Sequence, residues 1–242
     1  MKFSKLTLFS ALVLFLTVGG GVFAAEIEEV TYTSGSPSLT GYLCRPTGNG
    51  PFPAVLYNHG GVGMIIGGAP EETCEALAKA GFVGFSPIRR QTRSLRGHPG
   101  DVRAGLNYLR GLDTVDGDRV AMMGFSRGGV LTFMTAATDA PIKAAIIMAG
   151  AAPPPRSGFT LSDAGKIKVP TLLMVAENDT GSRKTLGQNT LEGMQRMAAA
   201  LENGGNPARL IVYPSYGNDG HEMFFEIGKY WSDVVAFLKA QL

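Results

Sequence analysis

Cysteine and histidine are scarce in this chain. Its 242 residues include two of the first, Cys44 and Cys74, and three of the second, His59, His98 and His221. That set offers no recognisable zinc spacing, so neither a metal nor a cofactor is expected. Charge of one sign is lacking too. Lys and Arg total 22 against 20 Asp and Glu, and Lys2 and Lys5 fall in a segment expected to be removed. The remainder is formally neutral, which excludes a general nucleic-acid footprint. Long apolar runs are absent apart from one, Leu6 to Val18. It is short of the roughly 20 residues that span a bilayer. Preceded by Lys2 and Lys5 and followed by Gly19–Gly21 and Val22-Phe23-Ala24, it reads as a secretory signal peptide, residues 1–24, cut after Ala24. Once it is cleaved, no stable membrane anchor is expected, and the protein is secreted or periplasmic. Repeats, low-complexity stretches and composition shifts are also missing, so residues 25–242 are expected to form a single domain.

Glycine is abundant. The 33 residues are about twice the usual share and cluster at element ends. Ile27–Thr33 and Leu39–Cys44 read as an opening hairpin. Apolar strands follow at Ala54–Asn58, Phe82–Ser86, Arg119–Phe125, Ala144–Ala149, Thr171–Ala176 and Leu210–Tyr213. Helical patterns occupy Pro70–Ala80, Gly100–Arg110, Gly128–Ala137, Leu186–Leu201 and Phe224–Leu242. Continuous apolar strands alternating with helices predict an α/β fold, a mostly parallel sheet covered by helices on both faces. Cys44 ends a strand and Cys74 lies in a helix. Sequence does not bring them within bonding distance, and two buried thiols are expected, although export permits a disulfide.

The chemistry centres on Gly124-Phe125-Ser126-Arg127-Gly128. A Gly-x-Ser-x-Gly match alone is weak, but this one follows a buried strand and opens a helix. There a sharp turn holds a nucleophilic serine above the sheet, and a side chain in place of Gly124 or Gly128 would strike neighbouring backbone. Ser126 needs a base. His221 follows the last strand, where loops converge on the ligand side of a parallel sheet. Asp179 follows the strand 171–176 and is expected to orient His221, with Glu177 in reserve. The order Ser126, Asp179, His221 is that of α/β-hydrolases. Oxyanion donors are expected from the backbone N–H of Arg127 and of Gly60 or Gly61, with His59 as the alternative donor and a substrate contact.

On YNHGG at 57–61, LNYLR at 106–110, VDGDRVAMMGFSRGG at 115–129, AEND at 176–179 and GHEMF at 220–224, the chain resembles the dienelactone-hydrolase-like α/β-hydrolases, a group that grades into prolyl-oligopeptidase-like esterases. The resemblance implies an eight-stranded, mostly parallel sheet with one antiparallel strand near the start. It also implies hydrolysis of a small-molecule ester. Two departures weaken dienelactone as the substrate. The nucleophile is Ser126 rather than cysteine, and the loop after the third strand carries no glutamate. A serine carboxylic esterase is the better reading; a dienelactone-type hydrolase, an acyltransferase and a non-catalytic small-molecule binder are the alternatives. In the family, arginines bind a substrate carboxylate, a task for Arg89 or Arg90 here, unless the loop they share with Arg93 and Arg96 is merely solvated. The stretch from Gly150 to Val169 is too short for a large lid, so an open site for small soluble esters is expected, with Ala151, Ala152 and the prolines at 153–155 along one wall.

Overall fold

Eleven residues, Val115–Phe125, form the long central strand of the sheet, and the Gly-x-Ser-x-Gly motif straddles the end of that strand. The computed structural model describes residues 25–242; the segment read as a signal peptide, 1–24, lies outside the described residues. In chain order the strands are β1 (Ala25–Thr33), β2 (Leu39–Pro46), β3 (Phe52–Asn58), β4 (Val83–Pro87), β5 (Val115–Phe125), β6 (Ala144–Met148), β7 (Thr171–Ala176) and β8 (Ala208–Tyr213). They lie side by side as β1-β2-β4-β3-β5-β6-β7-β8. Strand β2 runs against both its neighbours, and every other pairing is parallel. This is the α/β-hydrolase architecture expected from the sequence.

The period-2 alternation of strands divides the core into two layers. Leu56, Val120, Met122, Ile147 and Leu173 face α2 (His98–Arg110), α3 (Arg127–Ala136) and α4 (Thr190–Asn203). Val55, Ala121, Met123, Ile146 and Leu172 face α1 (Pro70–Lys79) and α5 (Trp231–Gln241). Burial on both faces explains why these strands read as unbroken apolar runs. The stretch between β6 and β7 carries one 3-10 turn, Leu161–Lys166, closed by a capping box between Thr160 and Asp163, and no large lid.

Three local expectations are corrected. Helix α4 starts at Thr190 rather than Leu186, because Leu186 and Gly187 adopt φ of 55° and 77°, which no right-handed helix accommodates. Asn189 caps it, accepting from the Glu192 N–H at 3.0 Å. The C-terminal helical pattern is split: a 3-10 turn, Gly220–Phe224, precedes α5, which begins only at Trp231. The two cysteines are joined, Cys44 to Cys74, with Cα atoms 5.5 Å apart. Gly84 of β4 explains the approach: a Cβ there would run into the backbone carbonyl of Cys74, so only glycine lets α1 settle against the strands.

Candidate active site

Ser126, the expected nucleophile, is placed by a strained turn. Ser126 has φ 54° and ψ −118°, outside the regions open to ordinary residues, and joins β5 directly to α3. Its N–H donates to the Met148 carbonyl at 2.8 Å, which ties the turn to β6. Glycine is obligatory on either side. A Cβ on Gly128 would overlap the Asn58 carbonyl, and one on Gly124 would overlap Gly128. The Asn58 side chain also donates to Thr132 at 3.1 Å, so β3 and α3 are locked together beneath the serine.

His221 reaches this point from the far end of the sheet. Asp219 caps its 3-10 turn by accepting from the His221 N–H at 3.1 Å. Lys184 holds the turn from outside, pairing with Glu222 and lying 3.8 Å from Asp219. The ring is buried, and its Nε2 lies 3.0 Å from Ser126 Oγ. Its Nδ1 lies 2.8 Å from Asp179 Oδ2. The other oxygen of Asp179 has no partner among the described residues, so its charge is directed at the imidazole. Behind the histidine runs a row of aromatic rings: Phe125 at 4.8 Å from His221, Phe224 at 5.8 Å from Phe125, then Tyr230 and the single tryptophan, Trp231. Glu177 is occupied elsewhere, accepting from the backbone and hydroxyl of Ser215 at 3.0 and 2.8 Å.

The expected oxyanion donors divide. Arg127 opens α3, so its N–H has no intrahelical acceptor and points toward the serine end of the helix. Gly60 is corrected: its N–H donates to the Gly67 carbonyl at 2.8 Å and is not available to a substrate. Gly61 lines the cavity beside Ser126, and its N–H has no acceptor among the described residues.

The expected substrate contacts are corrected as well. His59 is buried, with its Nδ1 2.6 Å from the Gly60 carbonyl and its Nε2 accepting from the Arg89 N–H at 3.3 Å. It pins the glycine-rich loop after β3 from beneath. Burial, reinforced by the neighbouring Arg89 charge, pushes its pKa down to about 3. Arg89 is buried with it, donating from Nη2 to the His59 carbonyl at 2.7 Å, while its Nε and Nη1 have no partner among the described residues. Burial, with Arg127 nearby, lowers its pKa to about 10. Arg90 grips Asp101 in a forked pair, Nη2 to Oδ1 at 2.7 Å and Nε to Oδ2 at 3.0 Å. None of the three borders the cavities at Ser126.

Ala151, Ala152 and Pro154 border the smaller of these cavities, as expected, and the rest of the lining went unnoticed in the sequence. A cavity of about 140 Å³ holds Ser126 and His221 between Leu95, Val130 and Pro154. A second, of about 380 Å³, extends over Ile65, Leu186 and Phe225, all exposed apolar side chains. Leu186 opens the stretch read as a helix; the glycines at 181 and 187 were the signal that it lies in a loop.

Residues 89–239 match the model described as the dienelactone hydrolase family. Over 118 residues the chain is 28% identical to YtmA of Bacillus subtilis, named an uncharacterized peptidase, a match covering 46% of each protein. The chain thus spans about half the length of that relative. It is 24% identical over 238 residues to a Methylorubrum extorquens protein provisionally named a carboxymethylenebutenolidase, covering 85% of this chain and 75% of that one. Among solved structures, P91, a dienelactone hydrolase-like promiscuous phosphotriesterase from metagenomic libraries, has the same fold. It superposes with a TM-score of 0.69 at 20% identity, over 90% of this chain and 99% of that one.

Proposed function

Because this chain belongs to the dienelactone hydrolase family, we infer that its hydrolase chemistry is the serine-based cleavage of small carboxylic esters through an acyl-enzyme. The observation that carries this reading is the unbroken sequence of contacts from Asp179 through His221 to Ser126 Oγ, 2.8 and 3.0 Å. A serine at position 126 needs a base to attack at neutral pH, and a cysteine would need one less. Ser126 Oγ attacks the ester carbonyl as His221 Nε2 takes its proton. Asp179 holds the ring by its Nδ1–H and stabilises the imidazolium. The N–H groups of Arg127 and Gly61 meet the oxyanion, an interaction worth about 3 kcal/mol or more per donor in such sites. His221 then passes the proton to the leaving alcohol, and activates a water that releases the acid. A non-catalytic binder on this fold has no need of a serine in reach of a buried histidine–aspartate pair.

Hydrolysis of short and medium 4-nitrophenyl esters, with Ser126→Ala alongside, tests the reading. Turnover is expected in the parent and a loss of about 10⁴-fold or more in the variant, whose circular dichroism stays that of the parent. A variant that keeps most of the activity overturns it.

Export is part of the same proposal. The leader pattern at 1–24 and the Cys44–Cys74 bond both suit an oxidising compartment outside the cytoplasm. Intact mass of protein recovered from the periplasm or medium is expected to begin at Ala25; a cytoplasmic chain starting at Met1 contradicts it.

A further inference from the structure

Ser126 and His221 border two cavities of different character. The smaller, of about 140 Å³, is lined by buried Val130, Ala149 and Thr190 and by half-buried Ala151 and Ala152. Ala149 sits just past β6 at φ 44°, a conformation that favours glycine, and its N–H donates to the Met174 carbonyl at 2.8 Å. Thr190 Oγ1 donates to the Asp179 carbonyl at 2.9 Å, so its hydroxyl is engaged inside the fold. This lining is fixed, mostly apolar and built from small side chains. An apolar cavity of about 150 Å³ holds one benzene ring, so a chain much beyond about six carbons has no room here.

The larger cavity, of about 380 Å³, lies over Ile65, Leu186 and Phe225. Seven large apolar side chains are exposed among the described residues, and five of them are these three with Met64 and Ile66. Single exposed apolar residues are ordinary, but five gathered around one cavity mark a binding surface. They are held there. The loop bearing Met64, Ile65 and Ile66 is closed by paired bonds between Gly60 and Gly67, at 2.8 and 3.3 Å. The loop bearing Leu186 is closed by the Gly187 N–H donating to the Ser182 carbonyl at 2.7 Å, and Lys184 fastens it to Glu222 of the histidine turn.

Ester cleavage distinguishes the two sides. The bond from the carbonyl carbon to the alcohol oxygen breaks, the proton on His221 Nε2 passes to that oxygen, and the acyl carbon stays on Ser126 Oγ. The alcohol therefore leaves past the histidine. Phe125 and Phe225, with ring centres 4.8 and 6.5 Å from the imidazole, border the larger cavity and not the smaller. Ala149, Ala151 and Ala152 border the smaller and not the larger.

We propose that this protein selects esters joining a short acyl group, of up to about six carbons, to a bulky apolar alcohol. The acyl group fills the cavity at Ala149, Ala151 and Ala152. The alcohol lies across Ile65 and Phe225, with Leu186, which borders both cavities, between the two halves. The assignment rests on the serine-hydrolase reading.

Acid release in a pH-stat from methyl butyrate and from 2-phenylethyl acetate, butyrate and decanoate tests it. Both alcohols are aliphatic, so they differ in bulk more than in reactivity. For 2-phenylethyl butyrate, kcat/KM is expected to exceed that of methyl butyrate and of the decanoate by about ten-fold or more. Ile65→Ser is expected to lower the preference for the bulky alcohol by about three-fold or more, and Ala152→Leu to lower butyrate against acetate by as much, each leaving the other preference within about two-fold. Each preference is a ratio within one preparation, so a partly folded variant does not distort it. Flat preferences in the parent, or variants that move the wrong preference or neither, overturn the proposal while the esterase reading stands. A rate that rises only once the decanoate aggregates makes the apolar mouth a docking face for lipid surfaces and overturns it too. If none of these esters is cleaved the proposal falls, and labelling of Ser126 by a fluorophosphonate then decides whether the serine-hydrolase reading falls with it.

Discussion

His59 shows how a residue chosen for its chemistry turns out to serve the backbone. It was a natural substrate contact by position, next to the glycines of the oxyanion loop. Instead its ring spans the Gly60 carbonyl and the Arg89 N–H, and the pair is sealed from solvent. That burial has a consequence for stability. A histidine held neutral in the fold, with its pKa lowered from 6.5 to about 3, binds a proton in the unfolded chain first. The unfolded state therefore gains protons as pH falls below about 6.5, and the fold loses stability from there down to about pH 3. His98, lowered to about 4 chiefly by burial, adds to the same window. Each contributes a slope of up to about 1.4 kcal/mol per pH unit. Urea titrations at pH 7 and pH 5 are expected to show the loss, ahead of the range where carboxylates dominate. His59→Gln is expected to flatten the slope, and an unchanged slope refutes this account. That Ser126, Asp179 and His221 meet was legible in the sequence, because residue type, chain order and position after a strand all restrict the choice. The fates of Gly60, Arg89 and Arg90 were not, because they depend on which neighbour takes a donor first, and that is decided across the fold.

At the level of elements, the strands were legible and two of the helix starts were not. A buried parallel strand announces itself as an apolar run, as Thr171–Ala176 and Ala144–Met148 do. A helix start is marked by a cap and by the backbone angles before it. At α4 the positive φ of Leu186 is invisible in the residue name, and an apolar side chain there extends the helical pattern falsely. Helix α3 carries the sharper lesson. Nearly every face of it is buried, so the glycine that brings it against β3 has no room to be anything else. Gly128→Ala is expected to cost about 2 kcal/mol or more, as overpacking against rigid backbone does. Because relief requires the helix to back away from Asn58, the proposed hydrolysis of 4-nitrophenyl esters is expected to fall further than thermal stability does. A variant that matches the parent in both melting temperature and turnover refutes the interlock.

Taken whole, the molecule joins a sheet stitched at one edge to a site assembled on the other side of its centre. The Cys44–Cys74 bond closes a loop of 30 residues between β2 and α1. Limiting the freedom of the unfolded chain by a loop of that size contributes about 3–4 kcal/mol. Cys44→Ala/Cys74→Ala is expected to lower the urea midpoint accordingly while leaving kcat of the folded enzyme within about two-fold, since neither residue borders the cleft. A midpoint that does not move would mean the bond is dispensable. The pairing was illegible in sequence for a plain reason: it depends on Gly84 admitting α1, a fact of three elements at once. The row of rings behind His221 has a use of its own. Trp231, the only tryptophan, ends that row, so the intrinsic emission of the protein arises from one place, packed through Tyr230, Phe224 and Phe125 against the histidine of the site. A red shift on heating or in denaturant therefore reports the loosening of the wall that supports the histidine, and reads the loss of the site optically with no substrate present.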